Sequence, residues 1–271
     1  MAQHIPESER KIDNNREIHI PFDGNGLAET FYFTVLCKVN PNIVIDVVKG
    51  NKNAYNIASA FKNIARFEEI ESYIEKDFNW YAPRLKNSHS ILNILDMAGL
   101  ETDNYIPYIK LDEEEINRGL QFCSQFEKPP IVLCPISGGF YNNCPLALGK
   151  MLSFEKWDKI CEELSKKYTV LYFALSHNFH PIKHTFRCLD FSLRHQCSIM
   201  RACGKFIGIE SGLTHAAVAS GAFCHVLVPS FGYSNGLLFD NFSYKAEMWK
   251  YETCRVKYYH FQNHLEVLNN L

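Results

Sequence analysis

No apolar run in this chain is long enough to cross a bilayer, and it holds no Cys-x-x-Cys pair, fixed-period repeat, heptad register or low-complexity tract. Each absence removes a class of protein. A membrane-spanning helix needs roughly 20 consecutive apolar residues. The polar start "MAQHIPESERKIDNNREIHI" has no apolar core of a secretory signal, so a cytoplasmic protein without a transmembrane segment is expected. Basic residues are not in excess: Lys and Arg number 28 against 30 Asp and Glu, for a formal charge of -2. That balance supplies no basic surface for a nucleic-acid backbone, and no nucleic-acid partner is expected. The ten cysteines include Cys37, Cys134, Cys197, Cys203 and Cys224 in or beside apolar runs, which predicts buried free thiols rather than disulfides.

What is present is α/β grammar. With 46% hydrophobic and 21% charged residues over 271 positions, the chain can bury a substantial core and form two domains. "EIHIPF" (17–22) reads as a strand, 27–38 as a helix and "NIVIDVV" (42–48) as a fully buried strand, the opening of a parallel sheet. Residues 53–81 are helical at first and then ambiguous. "SHSILNILDMAGL" and "KLDEEEINRGLQF" carry helical spacing, the second with acidic residues in its first turn. "EKPP" at 127–130 is a linker signal, giving domains 1–127 and 128–271. In the second domain "IVLCP" and "TVLYFAL" are buried strands, and "FEKWDKICEELSKKY" places Phe154, Trp157, Ile160, Cys161 and Leu164 on one helical face.

The most informative stretch is "KFIGIESGLTHAAVASGAFCHVLVPSFG" (205–232). An apolar strand ends at Glu210, a helix starts within that turn, and a second apolar strand follows at once, making a βαβ unit. A strand feeding a helix presents unpaired N–H groups and the positive end of the helix dipole, which suits a phosphate. Glu210 would repel a phosphate and fits better as an acceptor for neighbouring ribose hydroxyls. Ser211 and Gly212 also satisfy the simpler role of a helix N-cap. "HNFHPIKHTFRC" gathers His177, His180, His184 and Cys188, but the spacing matches no standard zinc site and Pro181 interrupts any helix that would align ligands, so a polar loop and no metal are expected.

The order of "IVLCPISGG", "KMLSFEKWDKICEEL", "TVLYFAL", "CLDFSLRHQCSIMRAC" and the acidic-Ser-Gly-x-x-His-x-Ala pattern at 210–217 resembles the nucleotide-binding domain of glycosyltransferase family 9, the heptosyltransferases. The resemblance covers about 130–232 well and is thinner in the first half. It implies a GT-B-like α/β fold: two Rossmann-like domains facing across a cleft, the N-terminal one abbreviated between Val48 and Ser88. It further implies inverting, metal-independent transfer of a sugar from a nucleoside diphosphate sugar to a hydroxyl of a glycan, glycolipid or protein, with no cofactor. The implied donor-binding residues are Ser137, Gly138, Lys150, Glu210, Ser211, Gly212, Thr214 and His215, with Lys150 neutralising the departing diphosphate. His215 also fits a packed, hydrogen-bonded role.

Two positions depart from the family pattern. Glu210 stands where the family has Asp, and Asn25 where the family has its carboxylate base. Asn cannot take a proton. Asp23 or Glu29 would supply the base, Asp23 being favoured because it ends the first strand. Asn25 also motivates a second reading, a catalytically inactive module that binds a nucleotide sugar or a partner. Glu210 is expected at the mouth of the cleft, so that Glu210→Gln would weaken donor binding and spare the fold.

Overall fold

The computed structural model describes residues 17–22, 27–61, 63–64, 66–71, 90–136, 140–141, 144–145, 152–174, 180–228, 233–234, 243–244, 250–251 and 253–271. The chain divides into two compact units, Met1–Pro107 and Tyr108–Leu271.

In the first unit, alternation in "IHIPF" buries Ile18, Ile20 and Phe22 and forms β1 (Ile18–Phe22). The helix α1 (Leu27–Val39) leads to β2 (Ile43–Val48), α2 (Lys52–Ser59), β3 (Arg66–Ile70) and α3 (Ser90–Ala98). The strands make a parallel sheet in the order β1-β2-β3, with Ile20 opposite Ile45 and Asp46 opposite Glu68. The β-branched run of β2 is buried along nearly its whole length, as an apolar central strand requires. Edge-on aromatic contacts close this core, Phe22 on Phe33 at 5.4 Å and Phe31 on Phe61 at 5.1 Å between centroids.

The second unit begins with α4 (Glu113–Cys123), followed by β4 (Pro130–Cys134), the short antiparallel pair β5 (Phe140–Tyr141) and β6 (Cys144–Pro145), α5 (Phe154–Ser165), β7 (Thr169–Ala174), β8 (Phe186–Leu189) and α6 (Leu193–Cys203). Then come β9 (Lys205–Ile209), α7 (Gly212–Ala219), β10 (Phe223–Val228), the antiparallel pair β11 (Tyr233–Ser234) and β12 (Ser243–Tyr244), β13 (Val256–His260) and a 3-10 segment, Phe261–Asn270. Six strands form one sheet in the order β13-β10-β9-β4-β7-β8, and every pairing in it is parallel. Numbered by chain order within that sheet, this is the 3-2-1-4-5-6 arrangement of a doubly wound Rossmann fold, with the order reversing between β4 and β9.

One face of the sheet packs on α5. Trp157, Ile160, Cys161 and Leu164 are buried there against Ile131, Leu133, Tyr172, Ile207 and Leu227, and Phe154 is half-buried, matching the face read from the sequence. "HNFHPIKHTFRC" is not wholly a loop: its last residues open β8, with Cys188 buried in the strand.

The unit boundary falls ahead of α4, whereas a division at 127/128 leaves α4 with the first unit. The physical reason is packing of α4 on α6. Asp112 caps α4 reciprocally: its Oδ1 accepts from the Glu115 amide at 2.8 Å, and Glu115 Oε2 accepts from the Asp112 amide at 3.0 Å. Glu115 also pairs with Arg194 of α6, whose Nη2 donates to Glu115 Oε2 at 2.5 Å and to the Lys110 carbonyl at 2.8 Å. Further along, Gly119 lets the helices touch, since a Cβ there would lie 2.4 Å from the Ser198 carbonyl oxygen.

The hydrogen bond from Arg194 is the main cause that holds the Glu115 carboxyl below its ordinary range. A depressed carboxyl contributes stability above its unfolded pKa and loses it as pH falls through the folded value. Arg194→Met should therefore destabilise the protein by about 2 kcal/mol near neutral pH, because Glu115 keeps its burial and loses its counterion. The difference from wild type should shrink as pH falls below the carboxylate range. Urea unfolding at pH 7 and pH 3.5 checks both; equal differences at the two pH values would contradict the role given to the pair.

Candidate functional site

The strand end at β9 is shaped by its neighbours. The Thr214 hydroxyl donates back to the Ile209 carbonyl at 2.6 Å, clamping the first turn of α7 to the strand it leaves. The Ser211 carbonyl receives the amides of Thr214 at 3.0 Å and His215 at 3.4 Å, which closes that turn. The Ser211 side chain makes no capping bond to the helix. Its Oγ lies 3.8 Å from Cys134 Sγ at the end of β4, joining the two strands that flank the order reversal. Helix capping by the Ser211 hydroxyl is thus not what the serine supplies. The amides of Gly212 and Leu213 belong to the helix's first turn, where geometry offers no carbonyl four residues back.

Glu210, Ser211, Thr214 and His215 are all buried, and Gly212 is half-buried. The open position expected for Glu210 is not observed: the residue is 6% exposed. Its Oε1 lies 3.4 Å from His215 Nε2. His215 is fully buried, and its Nδ1 lies 2.6 Å from the hydroxyl of Tyr251. Tyr251, itself buried, is held by its own amide, which donates to the Tyr258 hydroxyl of β13 at 2.8 Å. Nothing in the sequence pattern singles out Tyr251; its contact with His215 spans 36 positions of chain.

Asp23, Ser137, Gly138 and Lys150 lie outside the described residues. Glu29 falls in the helical backbone of α1, and its side chain lies outside them too. The structure therefore brings Glu210, Ser211, Gly212, Thr214 and His215 together at the carboxyl end of β9, beside the end of β4. This is the crevice position where doubly wound sheets hold their ligands.

The cysteines follow their packing. Burial pushes the Cys134 thiol up to about 11 and those of Cys37, Cys161, Cys188 and Cys197 up to about 12, so these remain protonated. Of the residues weighed for zinc, His177 lies outside the described residues, His180 stacks on Phe154 at 3.6 Å between centroids, and Cys188 is buried in β8.

A second polar cluster lies on the first unit's sheet. His19 Nδ1 is 2.9 Å from Asp46 and its Nε2 is 3.0 Å from Glu17, while Arg66 Nη2 reaches Glu17 at 2.7 Å and Glu68 at 3.1 Å. The bond to Asp46, and then that to Glu17, raises the His19 pKa. His19, Asp46 and Glu68 are the one group of three metal-capable side chains brought together among the described residues. Its carboxylates are already engaged by Arg66 and His19.

The class of protein follows from the two units: an α/β chain with a parallel sheet in each, the second a complete Rossmann sheet with its candidate site at the order reversal. No protein-family model matches the chain, and no curated protein sequence does. Solved structures do match. The glycosyltransferase family 9 protein of Veillonella parvula superposes with a TM-score of 0.57 at 14% identity, over 95% of this chain and 91% of that one. ADP-heptose lipopolysaccharide heptosyltransferase II of Escherichia coli gives 0.55 at 13%, over 94% and 98%. The dodecameric iron-containing heptosyltransferase TibC, in complex with ADP-D-β-D-heptose, gives 0.52 at 13%, over 79% and 59%. These likenesses establish the fold, which is GT-B-like.

Proposed function

We propose that the protein is a glycosyltransferase of the family 9 type, moving a sugar from a nucleoside diphosphate sugar to a hydroxyl on a glycan, glycolipid or protein. The observation that carries this reading is the placement of Glu210-Ser211-Gly212 where β9 meets α7, beside β4, in a GT-B-like fold. Two of the similar structures are heptosyltransferases whose names or contents specify ADP-heptose.

In this reading the first-turn amides of α7 receive a phosphate, assisted by the helix dipole. Glu210 accepts from ribose hydroxyls, and Ser137 and Gly138 supply further phosphate contacts. Lys150 stabilises the charge that develops on the diphosphate. The acceptor oxygen attacks the anomeric carbon from the face opposite the leaving group. As the new C–O bond forms, the bond to the phosphate oxygen breaks, and the acceptor proton passes to Asp23 or Glu29. The configuration inverts, and the nucleoside diphosphate departs without a metal ion or cofactor.

Asn25 supports a second reading, in which the chain binds a nucleotide sugar or a partner without turnover. Calorimetry with ADP, UDP, GDP and CDP, followed by donor-hydrolysis and transfer assays with and without EDTA, separates the two. Binding with turnover that survives EDTA is expected. Binding without turnover selects the inactive module, and no binding to any nucleoside diphosphate removes both.

A further inference from the structure

The geometry points to Tyr251 as a positioning residue that, through His215, sets the orientation of the Glu210 carboxylate. The inference rests on the donor-site reading of Glu210 and adds to it a residue outside every motif. The three side chains form a line: the Tyr251 hydroxyl 2.6 Å from His215 Nδ1, and His215 Nε2 3.4 Å from Glu210 Oε1. The imidazole at its centre is 0% exposed, so the line lies inside the protein.

Donor and acceptor chemistry orders this line: Nε2 meets Glu210 at ion-pair distance, and a carboxylate only accepts, so the arrangement that attracts puts the proton on the nitrogen facing Glu210. In the neutral ring the other nitrogen is then a bare acceptor, and Tyr251 is the group that donates to it. Tyr251 thereby selects the tautomer that points N–H at Glu210. With the opposite tautomer, the Nε2 lone pair would face the carboxylate and turn it away. Tyr251 can act as a fixed reference because it is buried and its amide is tied to the Tyr258 hydroxyl of β13. The role resembles that of groups behind a metal-bound histidine, which set its tautomer and ring orientation from a distance.

The consequence is specific to the ribose. If Glu210 receives the 2′- and 3′-hydroxyls, losing its orientation weakens only those bonds and leaves phosphate contacts at α7 intact. Tyr251→Phe removes the hydroxyl and keeps the ring and the backbone amide. Its affinity for ADP should fall about five- to tenfold, the scale of a charge-assisted bond lost from good geometry, with no change for 2′,3′-dideoxy-ADP.

The test has two arms. Nitrogen-15 shifts of the His215 ring, recorded without nucleotide, should show the Nε2–H tautomer in the wild type and a changed or mixed population in Tyr251→Phe. A wild-type Nδ1–H tautomer, or an unchanged ring in the variant, overturns the inference. Glu210→Gln provides a second variant for the same measurement: its amide carbonyl still accepts, so with Tyr251 in place the Nε2–H tautomer should persist, and a ring switched to Nδ1–H there also overturns it. Calorimetry with ADP and 2′,3′-dideoxy-ADP forms the second arm. Loss confined to ADP supports the inference, while equal losses, or none, overturn it. Should wild type bind no nucleoside diphosphate, the donor reading and Glu210's ribose role fail together, and the ring shifts still decide whether Tyr251 orders His215 and Glu210.

Discussion

Gly212→Asp should abolish nucleoside diphosphate binding while leaving the fold slightly more stable. Gly212 is the first residue of α7 and is not among the glycines held at positive φ, so a residue with a Cβ can take its backbone conformation. An acidic residue in a helix's first turn interacts favourably with the dipole, by about 0.3–1 kcal/mol. The same carboxylate would occupy the neighbourhood of the proposed diphosphate. Two like charges roughly 4 Å apart near a protein surface repel by about 4 kcal/mol, enough to cost affinity about a hundredfold or more. Calorimetry with the nucleoside diphosphate that the wild type binds, paired with a melting curve, measures both quantities. A folded variant with unchanged affinity would remove the anion from this helix start and leave the donor site elsewhere in the molecule.

Gly208→Val should produce the largest loss of stability. Gly208 lies within β9, opposite Cys134 of β4 and Val226 of β10. A Cβ at this position would stand 2.6 Å from the Cys134 carbonyl oxygen and 2.8 Å from the Phe206 ring. The nearer atom is backbone of a paired strand and cannot rotate aside, so β4 and β9 must separate where the sheet order reverses. Overpacking of this kind costs about 3 kcal/mol. For a protein of this size that lowers the melting temperature by roughly 6–12 °C. Because Glu210 follows the strand directly, nucleotide affinity of the folded fraction should fall as well. Urea and thermal unfolding of Gly208→Val beside Gly208→Ala would check this, and a melting temperature within a degree or two of wild type would show that the β4–β9 register is not as tight as described.

The central strands were legible in the sequence for a plain reason. β2, β4, β7, β9 and β10 have neighbours on both sides, and their buried, apolar-rich runs "IVIDVV", "PIVLC", "TVLYFA", "KFIGI" and "FCHVLV" mark them as such. The α5 face and the turn at 210–212 were legible too, because helical spacing and a strand-to-helix punctuation are local patterns. β3, β8 and β13 were not read in advance. Each is a sheet edge, and "RFEEI", "FRCL" and "VKYYH" leave several residues in contact with solvent. Their composition therefore resembles that of a loop.

The sequence by itself determined the α/β grammar, the central strands and a polar strand-to-helix turn at 210–212, since all of these depend on residues within a few positions of one another. Only the tertiary structure decided the order of the six strands, which comes from pairings between distant segments. It also assigned α4 to the second unit, through the contact of Glu115 with Arg194 across 79 positions. And it buried Glu210 beside His215, whose other ring nitrogen meets Tyr251, a residue that arrives from the segment before β13 and leaves no periodic trace around Glu210.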